Sequence, residues 1–184
     1  KKKKNIIKNE FTQHIKSANL LHNLTDDVAA PAQLCIDCLR NGGKILLFGN
    51  GWSAADAQHI AAELVGRYKT DRKGLSSIAL TTDTSSLTSI GNDFGYKHVF
   101  NRQVEALVKK GGVVIGISTS GKSDNVISAL KLASKLNCHT IGFIGQDSGE
   151  MNKICNINLV APSDDTPRIQ EMHIIIGHTI YHLI

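Results

Sequence analysis

The segment KILLFGNGWSAADAQHIAAELVGR, residues 44–67, decides the fold. Its first five residues form an apolar run that predicts a buried strand, and the Gly49-Asn50-Gly51 turn closes that run. The remainder predicts a helix over 53–67, with Ser53 as its N-cap. A continuous apolar strand, a short turn and a helix together are typical of a parallel sheet that is covered on both faces.

The same alternation continues outward from this segment. Upstream, the patterns at 5–23 and 26–40 predict two leading helices. Downstream, they predict strands at 76–80, 113–117, 140–144 and 157–160, helices near 84–91, 97–110, 122–136 and 148–154, and a long C-terminal helix from about residue 167. We therefore expect one α/β domain over 1–184, a three-layer α/β/α sandwich around a central five-stranded parallel sheet. Ligands of such sheets bind beyond the carboxyl ends of the strands.

The composition narrows the class of protein and its partners. The 184 residues carry a net charge of +5, but Lys1–Lys4 supply four of those charges, and subtracting them leaves +1. A balanced surface argues against nucleic acid as a partner. We interpret the lysine run as a disordered or artificially added end. No secretory signal and no apolar stretch of about 18 residues is visible, so we expect a cytoplasmic protein that does not span a membrane.

The four cysteines are Cys35, Cys38, Cys138 and Cys155. The first two form a C-x-x-C pair, but the pair lies in a helical pattern and no second pair follows at zinc-finger spacing. We interpret them as small core residues rather than as a metal or redox site. Free thiols fit a reducing compartment.

The stretch GISTSGKS, residues 116–123, matches the P-loop pattern, so a P-loop nucleotidase is one alternative. Against it, the loop follows two earlier strand–helix units, Gly116 lies within an apolar run, and no strand ends in a convincing magnesium-binding Asp. The alternative is a sugar-phosphate site, because hydroxyls at a helix start suit an anion without a metal. The four hydroxyls, more than a plain helix cap needs, come from Ser118, Thr119, Ser120 and Ser123.

Two other segments contain candidate metal ligands. His59 and Glu63 lie at i and i+4 of the predicted helix, where both can reach one divalent ion such as zinc, although surface pairs of this kind are common. In the last helix, Gln170 and His178 are eight residues apart, roughly 12 Å along the axis. If both bind one ion, they need long reach or ligands from a neighbouring subunit. The loop at 91–95, bounded by Gly at each end, is as typical of a plain turn as of a site.

Four separated stretches together resemble the phosphoheptose (sedoheptulose 7-phosphate) isomerases of the sugar isomerase domain superfamily. They are GNGWSAADAQHIAAELVGRY (49–68), IGNDFGY (90–96), GISTSGKSDNV (116–126) and RIQEMHIIIGH (168–178), in order and at family spacing over nearly the whole chain. One departure is Trp52, which stands where the family usually has Gly, next to the substrate. Pro167, at the start of the last helix, is a milder one.

The resemblance implies a ketose–aldose isomerase that makes heptose phosphate for lipopolysaccharide or capsule, working as a homotetramer with sites at subunit interfaces. Its zinc ligands would be His59, Glu63, Gln170 and His178, with Glu63 and His178 as the acid–base pair. Its substrate contacts would be Asn50, Gly51, Trp52, Glu63, Asn92, Asp93, Ser118, Thr119, Ser120, Ser123 and Gln170. Relatives of this fold also include non-catalytic sugar-phosphate sensors and a replication-initiation factor. The complete metal and acid–base set favours the enzyme.

Overall fold

Five short apolar segments pair side by side as parallel strands in the computed structural model, which describes residues 1–146 and 149–184. The strands are Ile45–Gly49 (β1), Ser77–Ala79 (β2), Val113–Ile117 (β3), His139–Ile144 (β4) and Ile157–Val160 (β5). Their order in the sheet is β2-β1-β3-β4-β5. Every residue of β1 and β3 is buried because helices cover both faces of the sheet. The expected five-stranded parallel sheet is confirmed.

Eight α-helices are seen in the described residues, and two of them lead the chain as expected. They are Lys2–Leu20 (α1), Thr25–Arg40 (α2), Trp52–Val65 (α3), Thr84–Phe94 (α4), Asn101–Leu107 (α5), Asp124–Lys135 (α6), Met151–Ile154 (α7) and Thr166–Leu183 (α8). Short 3-10 turns cover Leu21–Leu24 and Tyr96–His98. The start of the helix predicted at 148 lies outside the described residues. In the described part of the chain, no helix combines the length and apolar character needed to span a membrane.

Three local predictions need correction. Lys2–Lys4 form the first turn of α1 instead of a disordered end. Ser53 is not the N-cap of α3, because Gly51 adopts a positive φ of 56° that turns the chain in one residue, so the helix starts at Trp52. The segment 91–95 is not a free turn either: α4 continues through it to Phe94.

The core lies on both faces of the sheet, and the C-x-x-C pair belongs to it. On one face, α2, α3 and α8 pack against the strands in a cluster that includes Cys35 and Cys38. Both cysteines are buried and free, and burial raises the pKa of Cys35 to about 12. A thiol with so high a pKa is chemically inert. The interpretation of these cysteines as core residues is confirmed.

The strand order creates a crevice between β1 and β3. Strand β2, which follows β1 along the chain, lies next to β1 on one side, and β3 lies next to β1 on the other side. The loops after β1 and after β3 therefore leave in opposite directions from neighbouring strand ends. Ligands of open α/β sheets bind at such a point. The turn at 49–51 and the Ser/Thr stretch at 118–123 both lie there.

Candidate active site

The Ser/Thr stretch forms a compact turn that leads into α6. The N–H of Gly121 donates to the carbonyl and to the hydroxyl of Ser118, each at 3.2 Å, and the hydroxyls of Ser118 and Ser123 lie 2.9 Å apart. Ser123 is the N-cap residue of α6, but its side chain makes no capping bond. Two paired hydroxyls thus lie at the positive end of a helix, which is a site suited to phosphate.

The same stretch lacks the shape of a P-loop. Gly116, the first glycine of that pattern, lies inside β3, where it pairs with Phe48 of β1 and Gly142 of β4. The turn proper therefore begins at Ser118. The carbonyl of Thr119 accepts a bond from the N–H of Gly145 at 3.1 Å, which ties the turn to the end of β4.

Across the crevice, the turn after β1 is bonded to the start of α6 through side chains. The amides of Asn50 and Asn125 exchange two hydrogen bonds, each of 2.9 Å. The Tyr96 hydroxyl donates to the same Asn50 oxygen at 3.4 Å. These three residues line a cavity of about 370 Å³ together with Lys97, Ser123 and Asp124. Sequence reasoning assigned Asn50 but missed Asn125 and Tyr96, because no local pattern links residues so far apart along the chain.

Three of the predicted zinc ligands meet where α3 and α8 cross. The distance from His59 Nε2 to Glu63 Oε1 is 3.3 Å, and from His59 Nε2 to His178 Nε2 it is 3.4 Å. Two ligands bound tetrahedrally to one zinc at about 2.05 Å are separated by about 3.3 Å, so both distances fit that metal. No group of three or more His, Cys, Asp or Glu side chains in the described residues is arranged to hold a metal ion. The two donor distances fit zinc, but the site needs a further ligand before it could hold the ion.

Aromatic side chains hold His178 in place. The ring of Tyr68 stacks on the His178 imidazole with centroids 6.0 Å apart and planes 17° apart, and Tyr181 meets the same ring edge-on at 5.3 Å. Partial burial, and then the neighbouring His59, lower the pKa of His178, which favours its neutral form. A cleft of about 350 Å³ lined by Glu63, Arg67, Tyr68 and Lys69 opens beside it.

The close approach of α8 to α3 depends on Gly177. A Cβ at this position would lie 2.7 Å from Cδ1 and 2.9 Å from Cγ1 of the buried Ile60 side chain. Glycine weakens a helix interior by about 1 kcal/mol relative to alanine, so a packing requirement explains its presence here. The next residue along α8 is His178, and the residue before Ile60 is His59. The helix contact therefore sets the distance between the two imidazoles.

The structure does not bring the remaining predicted residues into this group. Gln170 lies about two turns before His178 on α8 and is half-buried. Asn92 and Asp93 lie in the last turn of α4, where the Asn92 amide donates to the Asp93 carboxylate at 2.9 Å. Trp52 is 74% exposed at the first position of α3. A site that uses all of these residues has to close, or to be completed by another subunit.

Other polar groups of α8 have structural roles. His173 is fully buried, its Nε2 lies 3.0 Å from the carbonyl of Ile144, and burial lowers its pKa to about 4. The buried Arg168 bridges Glu10 of α1 at 2.9 Å and Glu171 of α8 at 2.6 Å. Of the polar groups on α8 predicted to act in the site, His178 is the one that reaches His59.

Comparisons with known proteins agree with this geometry. The family model described as "SIS domain" matches residues 10–145. The phosphoheptose isomerase of Aliarcobacter butzleri is 59% identical over 182 residues, covering 98% of this chain and 96% of the relative. The chain belongs to the phosphoheptose isomerase family. This membership decides against the P-loop nucleotidase and favours an enzyme over the non-catalytic alternatives.

Solved structures of the phosphoheptose isomerase family share the whole fold. The protein from Neisseria gonorrhoeae is 43% identical with a TM-score of 0.91, covering 96% of this chain and 95% of its own. The protein from Francisella tularensis is 34% identical with a TM-score of 0.94, and the match covers 97% of this chain and 96% of the Francisella chain. The similarity therefore extends to β5 and α8, which lie beyond the segment that the family model matches.

The contact between Gly177 and Ile60 yields a prediction. Gly177→Ala should lower isomerase activity about tenfold, because the added methyl group pushes α8 from α3 and separates His178 from His59. The unfolding temperature should change little, since the gain in helix propensity offsets part of the strain. Steady-state turnover and thermal unfolding measure the two effects. Ile60→Ala removes both clashing atoms, Cδ1 and Cγ1, so the double variant should regain most of the lost activity; unaltered activity in Gly177→Ala alone would refute this account.

Proposed function

We propose that this protein interconverts sedoheptulose 7-phosphate and D-glycero-D-manno-heptose 7-phosphate. The observation that carries the proposal is the meeting of His59, Glu63 and His178 at the crossing of α3 and α8. The hydroxyl-rich turn at 118–123 supplies a second, anion-binding element for the phosphate. Relatives named phosphoheptose isomerase support the choice of substrate.

The chain's own residues divide the proton transfers between them. Glu63 removes the proton from C1 of the ketose while His178 gives a proton to the carbonyl oxygen at C2, which forms an enediol. His178 then takes the proton from the oxygen at C1, and Glu63 returns its proton to C2, which gives the aldose. Each group that acts in this way contributes about 10²–10⁴-fold to the rate.

The other residues hold the substrate. The hydroxyls at 118, 119, 120 and 123 bind the phosphate, and Asn50, Gly51, Trp52, Asn92, Asp93 and Gln170 contact the sugar. The indole of Trp52, exposed at the first position of α3, can either narrow the site and restrict which sugars are accepted, or swing away and leave the chemistry intact.

We further propose one zinc ion per subunit, held by His59, Glu63, His178 and Gln170. The two donor distances near 3.3 Å support such an ion, and the amide oxygen of a Gln170 from a neighbouring subunit would supply the fourth ligand, because Gln170 and His178 of one α8 are too far apart to meet. Bound zinc polarises the substrate carbonyl and stabilises negative charge on its oxygen. A group that binds a metal is a weaker base, so Glu63 and His178 would each have to serve as ligand and as acid–base group in turn.

Self-association into a homotetramer, with sites at the subunit interfaces, is the proposed assembly. It is supported by an apolar stripe on α1 formed by Ile7, Phe11 and Ile15, each more than half exposed. These residues lie at i, i+4 and i+8, so they share one face of the helix. The distance of Gln170 from His178 also favours a site completed by a neighbouring subunit. Exposed apolar stripes of this kind mark protein–protein contacts.

We place the enzyme in the cytoplasm, at the step that supplies heptose for lipopolysaccharide or capsule. Four free cysteines, three of them buried, support a reducing compartment. The downstream use of the product follows from the family resemblance.

Glu63→Gln tests the assignment of the base. The amide cannot accept the carbon-bound proton, so turnover of sedoheptulose 7-phosphate should fall at least about 10²-fold while the fold is kept. NMR detection of the aldoheptose product measures turnover, and circular dichroism measures the fold. Glu105→Gln, an exposed position of α5, makes the same chemical change away from the site and should have no effect. Retained activity in Glu63→Gln would remove Glu63 as the base.

Metal analysis tests the zinc proposal. Protein purified without added metal should contain about one zinc per chain by mass spectrometry, and His178→Ala should lose most of it because one ligand is removed. The matched control is His182→Ala, an exposed histidine one turn further along α8, which should keep the metal. Equal zinc content in both variants would contradict this ligand set. A Glu63→Gln variant that keeps zinc but loses turnover would separate the role of base from that of ligand.

A charge on the apolar stripe tests the assembly. Phe11→Lys should shift the protein from tetramer to smaller species in light scattering, because the interface would have to bury an unpaired charge. Asn9→Lys places the same charge on the opposite face of α1 and should leave the mass unchanged. A Phe11→Lys protein with the mass of the unaltered protein would show that α1 lies outside the interface.

A further inference from the structure

The side-chain pair formed by Asn50 and Asn125 has a fixed orientation. Asn125 Oδ1 accepts a 2.9 Å bond from the backbone N–H of Val126 as well as one from Asn50 Nδ2. A backbone N–H can only donate, so the atom that it faces must be the oxygen of the Asn125 amide. The nitrogen of Asn125 then faces Asn50, and its 2.9 Å bond must end on Asn50 Oδ1. Asn125 thus sets the direction of the Asn50 amide.

The hydrogen-bond inventory shows which atom of Asn50 is left for a ligand. Its oxygen accepts from Asn125 Nδ2 and from the Tyr96 hydroxyl, which uses both lone pairs. Its nitrogen gives one of two N–H groups to Asn125. The second N–H lies outside this pair. Asn50 can therefore act toward a sugar as a donor, but not as an acceptor.

The pair also bridges the two halves of the site. Backbone pairing between β1 and β3 ends at Gly49 and Ile117, and beyond it the two chain segments diverge. Asn50 follows β1 directly and precedes α3, which carries His59 and Glu63. Asn125 is buried in the first turn of α6, next to the hydroxyl-rich turn. The amide pair therefore links the catalytic helix to the phosphate-binding turn across the crevice.

We infer that Asn125 is a positioning residue of the isomerase: it does not touch the substrate, but it orients the Asn50 amide and fixes the catalytic helix relative to the phosphate turn. Tyr96 supports it from the segment between α4 and α5. The inference rests on the proposed function, because it takes Asn50 as a substrate contact. A displacement of about 1 Å at such a contact can cost about 10²-fold in rate.

A double-mutant cycle in kcat/KM tests this role. Asn125→Ala should lower kcat/KM about 10- to 100-fold, because the Asn50 amide is then free to rotate. In an Asn50→Ala background the same replacement should cost less than about threefold, because the group that Asn125 orients is already gone. Equal losses in both backgrounds would overturn the inference, since Asn125 would then act independently of Asn50. Wild-type kcat/KM in Asn125→Ala would overturn it as well.

Two further variants separate positioning from simple loss of structure. Asn125→Asp keeps the size and the bond from Val126 but puts an oxygen against Asn50 Oδ1, so it should lower kcat/KM as much as alanine does in protein that remains folded. Asn156→Ala removes the amide of an exposed asparagine that also bonds to backbone: its oxygen accepts from the N–H of Thr140 at 2.8 Å and from the Thr140 hydroxyl at 3.0 Å. This control should lower the unfolding temperature without changing kcat/KM. An Asn125→Asp protein as active as the wild type would refute the positioning role.

The experiment keeps this inference distinct from the proposed function. If wild-type protein does not turn over sedoheptulose 7-phosphate, the proposed function fails. If wild-type protein is active and the cycle is additive, the positioning role of Asn125 fails while the isomerase assignment stands.

Discussion

The chemistry of this site depends on how closely α8 lies against α3. His59 and Glu63 are placed on one face of α3 by helix periodicity alone, but His178 comes from a helix at the other end of the chain. Its position is set by the packing of backbone at Gly177 against Ile60, and by the rings of Tyr68 and Tyr181. Protein interiors are close-packed, so a contact of this kind fixes a distance to within a few tenths of an ångström.

The parallel sheet brings together the turn at 49–51 and the Ser/Thr turn at 118–123. Because β1 and β3 are neighbours whose following loops diverge, their carboxyl ends leave an open crevice at 49–51 and 118–123. Helix α6 begins at the same edge and directs its positive end there. The hydrogen bonds of the sheet hold these strand ends rigidly, and Asn50, Ser118 and Ser123 lie on the turns and the helix start just beyond them. Rigid scaffolds with functional groups on connecting segments are a common arrangement.

The sequence predicted the strands well because each is a short apolar run bounded by turn residues, a pattern that buried parallel strands require. It also predicted His59 and Glu63 as a pair, since i and i+4 positions share a face whatever the tertiary structure. It could not predict the Asn50–Asn125 pair or the stacking of Tyr68 on His178, because those contacts join residues far apart in sequence. The start of α3 was misplaced for a local reason, the positive φ of Gly51. Gln170 was named by resemblance, and its distance from His178 follows from helix geometry.

The bridge from Arg168 to Glu10 and Glu171 mechanically couples the two ends of the chain. One guanidinium binds a carboxylate on each helix, so the bridge ties the position of α1 to that of the first turns of α8. Helix α1 carries the exposed apolar stripe of Ile7, Phe11 and Ile15, and the start of α8 carries Gln170. A displacement of α1 would therefore be passed to the segment of α8 that carries Gln170, through one buried guanidinium.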